Sequence, residues 1–476
     1  MHRVNRKGLP AMVAVSCEAR GTDAAQSHIC QSTVNRSWIA KTFHWIVAGV
    51  FAPPQTGARD AHSVPPNRKR LRELTRSPKR TASLVGLVVA IGVLDAAIAQ
   101  TKPAGPVSSD QVRRGEYLAR AADCISCHTA KGGAPYAGGL RLDTPFGYMV
   151  APNITPDPDT GIGRWSANDF YRALHDGVNK RGEDMYPTMP YDFYTRVTRA
   201  DIDAIFAYLR TVKPVRYAVD VNHLDFPFDI RMSMIGWREL YFTEGTYTPD
   251  PTKTASWNRG AYLVEGLGHC SDCHSPRNLL GGFEKDKDFT GAAVDGWFAL
   301  NLTSDVTTGL GAWTVDDVVT YLKTGAGKTT TLGPMAEVVR NSLRYLTDTD
   351  LKAMAEYLKS IPADSSRNGP DPTRAQGAAL YLDHCSGCHQ ATGRGIPGVL
   401  PQLAGNGVVL ASDPVNIFQV VLGGIPALGK YIAMPSFASR LNDQQIADIA
   451  NYIRTSWGNT AAPDATASMA AKLRKP

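Results

Sequence analysis

The 476-residue chain has only eight cysteines, and six of them fall inside three copies of one five-residue pattern. The other two, Cys17 and Cys30, lie within the first 75 residues. Past that point no thiol is spare, which excludes a disulfide framework. The apolar run at 84–94 is also short: its 11 residues end at Asp95, whereas about 20 are needed to cross a bilayer core. A basic surplus is missing from most of the chain as well. The net charge is +7, but residues 1–99 hold 14 of the 51 Lys+Arg and 5 of the 44 Asp+Glu, leaving 37 against 39 in the remainder. Nucleic acid is therefore not an expected partner.

What is present is Cys-x-x-Cys-His, at Cys124-Ile125-Ser126-Cys127-His128, Cys270-Ser271-Asp272-Cys273-His274 and Cys385-Ser386-Gly387-Cys388-His389. This is the attachment pattern of c-type haem. Two thiols three positions apart can add to the two vinyl groups of one porphyrin, and the following histidine is held beneath the ring as an axial iron ligand. A zinc ribbon would use Cys-x-x-Cys in pairs to complete four ligands, and a thioredoxin-like motif would occur once in a strand-helix setting. Three copies, each followed directly by His, fit neither. The expected attachment residues are thus Cys124, Cys127, Cys270, Cys273, Cys385 and Cys388. The expected iron ligands on one face are His128, His274 and His389, for three covalently bound haems c.

An export signal is expected upstream. Arg76, Lys79 and Arg80 precede the apolar run, and Ala97-Ile98-Ala99 forms a small-x-small cleavage site that would leave Gln100 as the mature N-terminus. Residues 1–75 read as an upstream extension outside the mature protein.

The remainder reads as an internal repeat. Arg114-Gly115-Glu116-Tyr117-Leu118, Arg259-Gly260-Ala261-Tyr262-Leu263 and Gln376-Gly377-Ala378-Ala379-Leu380 each precede a motif within a helix-like stretch. Amphipathic helices expected at 198–212, 347–361 and 442–457 close the copies, each opened by a capping residue. The fold expected is all-α, with small domains at 104–218, 246–364 and 371–460, a linker at 219–245 and a polar tail at 461–476. The first two copies also share Asn153-Ile154-Thr155 and Asn301-Leu302-Thr303, each 12 residues before a Trp, Trp165 or Trp313. A haem-side structural role is expected for both.

The sixth iron ligand is expected to be methionine. Met189 lies 61 residues after His128, Met335 lies 61 after His274, and Met434 lies 45 after His389; each adjoins a proline in a stretch expected to be a loop. Met/His ligation raises the potential and suits electron transfer, although Met is more often core filler. Met185 competes in the first copy. His175 and His223 have no counterparts in the other copies and are expected to be structural or at the surface. Gly325-Ala326-Gly327-Lys328-Thr329-Thr330 resembles the end of a phosphate-binding loop, but the first glycine of that pattern would fall on Leu322.

Leu174-His175-Asp176-Gly177-Val178, Met185-Tyr186-Pro187-Thr188-Met189-Pro190-Tyr191, the linker Phe226-Pro227-Phe228-Asp229-Ile230-Arg231 and the closing Tyr452-Ile453-Arg454-Thr455-Ser456-Trp457 complete a resemblance. Together with the three motifs, this chain resembles the triheme cytochrome c subunit of bacterial membrane-bound alcohol, gluconate and sorbitol-type dehydrogenases. The resemblance implies three tandem class I cytochrome c-like domains. It also implies a catalytic dehydrogenase partner of PQQ, flavin or molybdenum type, ubiquinone as acceptor, with a soluble cytochrome or terminal oxidase as the alternative, and a periplasmic place at the outer face of the inner membrane. Related cytochromes serve molybdenum hydroxylases. A haem enzyme would need an open or displaceable iron position, and a Met candidate in every copy argues against one. An electron-transfer subunit without substrate oxidation of its own is the reading expected. The segment 219–257, rich in Phe, Met and Trp, is the candidate docking surface.

Overall fold

The computed structural model describes residues 108–363 and 377–474, with the backbone of two short antiparallel strands, Val15–Cys17 and Cys30–Ser32. The expected export signal at 76–99 lies outside the described residues.

Three helix pairs organise the molecule. Helix α1 (Ser109–Ala121) crosses α2 (Arg199–Leu209), α3 (Ala255–Tyr262) crosses α4 (Asp348–Ser360), and α5 (Gly377–His384) crosses α6 (Asp443–Thr455). The closing helices begin where a side chain can satisfy a free backbone donor: Thr198, Thr347 and Asn442 accept from the amides of Asp201, Asp350 and Gln445. Their apolar period turns Ile202, Ile205 and Leu209 inward in α2, Leu351, Met354 and Leu358 in α4, and Ile446, Ile449 and Ile453 in α6. Each such burial contributes about 1.5–3 kcal/mol.

One glycine sets each crossing. A Cβ on Gly115 would lie 1.8 Å from the Ala204 carbonyl oxygen, and on Gly260 or Gly377 it would lie 2.0 Å from that of Ala353 or Asp448. Tyr208, Tyr357 and Tyr452 flank the same points. The helices meet backbone to backbone, and any side chain would force them apart.

The first two repeats share one apolar core, running from Leu118 and Ile205 through Leu263 to Leu351 and Leu358. They also exchange bonds reciprocally. Tyr262 donates to Asp201 at 2.7 Å and accepts from the Thr198 amide at 3.2 Å, while Tyr117 donates to Asp350 at 2.6 Å and accepts from the Thr347 amide at 3.2 Å. Within each repeat, Arg114 donates Nε to Asp201 at 2.8 Å and Arg259 to Asp350 at 2.9 Å. Both carboxylates are buried. Each buried carboxylate thus replaces the water it loses with two donors, one arginine and one tyrosine.

The third repeat has a separate core around Tyr381, Phe418 and Ile446. Its contacts with the second are of another kind: Asn416 accepts from the Phe298 amide and donates to the Phe298 carbonyl, both at 2.8 Å, and Gln419 donates to the Gly296 carbonyl at 2.9 Å.

The all-α expectation is corrected in detail. Helix dominates, but β1 (Arg141–Thr144), β2 (Gly147–Val150) and β3 (Asn222–Leu224) form a three-stranded antiparallel sheet, and Ala292–Val294 pairs with Trp297–Ala299. Strands of three or four residues are too short to show a period. The second hairpin did carry a signal in Asp295-Gly296, whose positive φ values of 47° and 73° suit a two-residue turn.

The segment expected as a linker is built into the fold: β3 completes the first repeat's sheet, and a helix follows at Ser233–Tyr241. The tail is likewise structured. Its helix Ala467–Leu473 packs on α6, Ala470 is buried, and Arg474 donates Nε to Asp443 at 2.7 Å. Small residues close to α6 give this helix a face to bury, which polarity along the chain concealed.

Candidate functional site

Each Cys-x-x-Cys-His motif comes after the first helix of its pair, in the second repeat after a further wide helical turn at Leu263–Leu267, and forms a short helical turn: Cys124–Cys127, Cys270–His274 and Ser386–His389. Asp123 and His269 enter the first two turns with φ of 49° and 36°, a left-handed kink that reverses the chain so that the cysteines lie beside the helix end. Thiols spaced three positions apart on one helical turn lie on one side of it. Burial pushes the Cys124, Cys127 and Cys270 thiols up to about 12 and Cys385 up to about 11, while Cys273 is raised further. By exposure, Cys124, Cys270, Cys273 and Cys385 are half-buried and Cys127 and Cys388 open to solvent, which leaves room for a bulky adduct.

The three histidines are oriented identically. Nδ1 of His128 lies 2.8 Å from the Pro152 carbonyl, Nδ1 of His274 lies 2.6 Å from the Leu300 carbonyl, and Nδ1 of His389 lies 3.0 Å from the Pro401 carbonyl. A carbonyl can only accept, so Nδ1 carries the proton and Nε2 keeps a free lone pair directed away from it. Burial lowers the pKa of all three imidazoles, outweighing the carbonyl contacts, and so favours the neutral form that binds a metal. This outer-shell arrangement is the one that fixes ring orientation in metal-binding histidines. These residues fit covalent haem, with the cysteine pair holding its edge and Nε2 its iron.

Sequence reasoning missed the carbonyl partners, yet a signal was available. Pro152 and Leu300 immediately precede the duplicated Asn-x-Thr. Asn153 donates to Thr160 at 3.0 Å and accepts from the Thr155 amide at 2.9 Å; Asn301 does the same with Thr308 at 3.0 Å and Thr303 at 2.8 Å. The buried asparagines thus pin the loop that presents each carbonyl to its histidine, a structural role on the histidine side.

In the third repeat, His389, Cys385, Cys388 and Met434 line one apolar cleft. Met434 is held there by paired backbone bonds with Ile425, both 2.9 Å. In the first repeat Met185 and Met189 both pack half-buried against the core, and the backbone bonds Met185 to Gly177 at 2.8 Å and Met189 to Tyr186 at 3.1 Å. Met335 also packs against that core, but in the first turn of a helix, Pro334–Asn341, instead of a loop. Proline at its first position favours a helix start there.

The remaining histidines are otherwise engaged. His175 is buried, stacks on Tyr171, and has Nδ1 2.8 Å from Asp176 and Nε2 3.2 Å from Thr246. His223 lies in β3, stacked on Tyr148. Gly325 is the left-handed cap of the helix Val315–Thr324, and Lys328 donates to the Ala312 carbonyl at 2.7 Å, which accounts for the phosphate-loop resemblance. Trp165 and Trp313 pack against the shared core.

A crossed helix pair whose first helix leads into Cys-x-x-Cys-His, with the histidine primed at Nε2, defines a c-type cytochrome. Comparison agrees: the cytochrome c family model matches residues 112–213 and 374–457. The chain is 40% identical over 396 residues to the gluconate 2-dehydrogenase cytochrome c subunit of Pantoea cypripedii, covering 76% of this chain and 89% of that one. It is 40% identical over 395 residues to the cytochrome c subunit of the quinone alcohol dehydrogenase of Gluconobacter oxydans, covering 76% and 82%. A nicotinate dehydrogenase subunit of Pseudomonas putida is 39% identical over 418 residues, 82% of this chain but 35% of that larger protein. The chain belongs to the family of cytochrome c subunits of bacterial dehydrogenases.

Proposed function

We propose that this chain is a three-haem electron carrier that takes electrons from a separate catalytic dehydrogenase subunit and delivers them to ubiquinone at the outer face of the inner membrane. The observation that carries the reading is the triple recurrence of a histidine anchored through Nδ1 to a backbone carbonyl beside two cysteines. One haem c per repeat supplies one-electron redox chemistry. The cysteine pairs would hold it, Nε2 of His128, His274 and His389 would bind the iron, and Met189, Met335 and Met434 would supply the second ligand.

The names of the relatives support an alcohol or sugar-acid dehydrogenase with a PQQ or flavin centre as partner, or a molybdenum enzyme in the manner of the nicotinate relative. The surface of the former linker is its docking face. Phe226 is 80% and Met232 75% exposed, with Ile235 and Leu240 also outward on the helix Ser233–Tyr241. Trp237 anchors this helix by donating to the Leu280 carbonyl at 3.0 Å, beside the exposed Leu279 and Leu280. So much apolar side chain on one surface is characteristic of an interaction site.

Three covalent haems per mature chain are expected from the pyridine haemochrome spectrum against protein mass; two would refute the stoichiometry. The isolated chain should oxidise no alcohol or sugar, and the reconstituted complex should reduce a ubiquinone analogue when substrate is added. Carbon monoxide should bind after Met189→Ala, Met335→Ala or Met434→Ala. Binding after Met185→Ala and not Met189→Ala would transfer the first ligand role to Met185.

A further inference from the structure

The second repeat touches both other cofactor sites through one continuous stretch, 329–341. At its start, Thr329, Thr330 and Leu332 line the third repeat's cleft together with His389 and Met434. At its end, Asn341 donates Nδ2 to Ser126 Oγ at 3.0 Å, inside the first motif, and Ser126 in turn donates to Asp123 at 2.7 Å. Between them, three residues beyond Leu332 and six before Asn341, stands Met335. A candidate iron ligand of one site thus shares a short, largely helical stretch with the wall of a second site and the attachment turn of a third.

The placement is held at both ends. Tyr431 of the third repeat donates its hydroxyl to the Gly327 carbonyl, just before the stretch, and the reciprocal Phe298–Asn416 bonds fix the cleft against the second repeat. At the other end, Arg120 of α1 lies 4.4 Å over the Tyr345 ring. The contacts described for the third repeat run to the second: Phe298, Gly296, Gly327 and the 329–332 wall.

We propose that residues 329–341 are the electronic junction of the chain, placing the second haem site between the other two, with Asn341 and Leu332 as positioning residues at its two exits. The inference rests on the three-haem, methionine-ligated reading above. In each transfer one electron leaves ferrous iron at one site and reaches ferric iron at the next; no proton moves and no bond forms or breaks. Asn341 holds the first attachment turn against the helix that carries Met335. Leu332 lines the third cleft two residues before that helix begins, so loss of its side chain would leave a gap on this route.

The test uses the full mature chain. One electron is injected by pulse radiolysis into the oxidised protein, and its redistribution is followed optically, with midpoint potentials from spectroelectrochemistry. Asn341→Ala should slow exchange between sites one and two several-fold and spare that between two and three. Leu332→Ala should do the reverse, and Leu332→Met should restore the rate. Met335→His, which keeps six-coordinate iron at a lower potential, should slow equilibration between sites one and three. Unchanged one-to-three equilibration in Met335→His, or rates indifferent to both Asn341→Ala and Leu332→Ala, overturns the proposal. A haem count below three in the unmodified chain, or no carbon monoxide binding in Met335→Ala, would instead refute the reading on which it rests.

Discussion

Repeats one and two differ from repeat three in what stands around the same helix crossing. All three place glycine at the contact, and all three cap the closing helix with Thr or Asn. Two residues beyond the glycine, however, the first two have Tyr117 and Tyr262 where the third has Ala379, and three residues beyond the cap they have Asp201 and Asp350 where the third has Gln445. Those four positions carry the reciprocal bonds. The crossing makes a cytochrome domain; the tyrosine-aspartate exchange makes two such domains into one body. The third lacks both halves of the exchange and is attached by backbone-directed bonds from Asn416 and Gln419.

Breaking the crossing should have the largest effect. Gly115→Ala or Gly377→Ala forces a Cβ against a carbonyl and should cost about 3 kcal/mol. Thermal unfolding followed at the haem bands should show the two repeats melting together in the first variant and the third alone in the second. Joint melting of all three repeats in Gly377→Ala would contradict the separate cores.

Removing a shared carboxylate comes next. Asp201→Ala leaves the Tyr262 hydroxyl without its acceptor in a buried setting and should cost about 2 kcal/mol. Gln445→Ala loses only a helix-start contact, worth about 1 kcal/mol. Equal costs in urea unfolding would erase the distinction between the pair and the third repeat.

Acidity sharpens the contrast. Burial alone would raise the Asp350 carboxyl, but Arg259 and Tyr117 more than offset this and hold it below the usual carboxylate range. Its stabilisation is present above the unfolded value of about 3.9 and is lost as pH falls through the lower folded value. Asp192, near Asp272, has the opposite sign. Burial first, then the Asp272 charge, push it up to about 7, and its Oδ1 is buried without a hydrogen-bond partner. That contribution is full below the unfolded value of about 3.9 and is lost as pH rises toward about 7. Asp192→Asn should flatten the decline over this interval in a pH series of unfolding midpoints.

The smallest effect is expected from Tyr117→Phe, which removes one donor to Asp350 while Arg259 remains, at about 1 kcal/mol. Double-mutant cycles of Tyr117→Phe with Asp350→Asn should show coupling, and cycles with Gln445→Ala should not.

The attachment motifs, closing helices and caps were legible because each is written in consecutive residues or in a 3.6-residue period. The expected starts at 198, 347 and 442 coincide with the observed caps. The glycines were visible at one place in every copy, but their purpose depends on a carbonyl some 70 to 90 positions away. Tyr262 meeting Asp201 is likewise a pairing between repeats that no local pattern announces. Pro152, Leu300 and Pro401 act through their carbonyls, an atom every residue has, so side-chain identity could not single them out. The 219–245 segment misled because its apolar residues have no clear period; half of them face outward.

The reciprocal bonds between the first two repeats have the form of a contact between identical chains: a surface that binds its own copy, residue i to j and j to i. A duplication that joined two copies end to end would preserve that contact without inventing an interface. It follows that a single-repeat cytochrome with Arg-Gly-x-Tyr before its attachment motif and Thr-x-x-Asp opening its last helix should form a symmetric dimer. One carrying the Ala and Gln of the third repeat at those positions should stay monomeric in sedimentation.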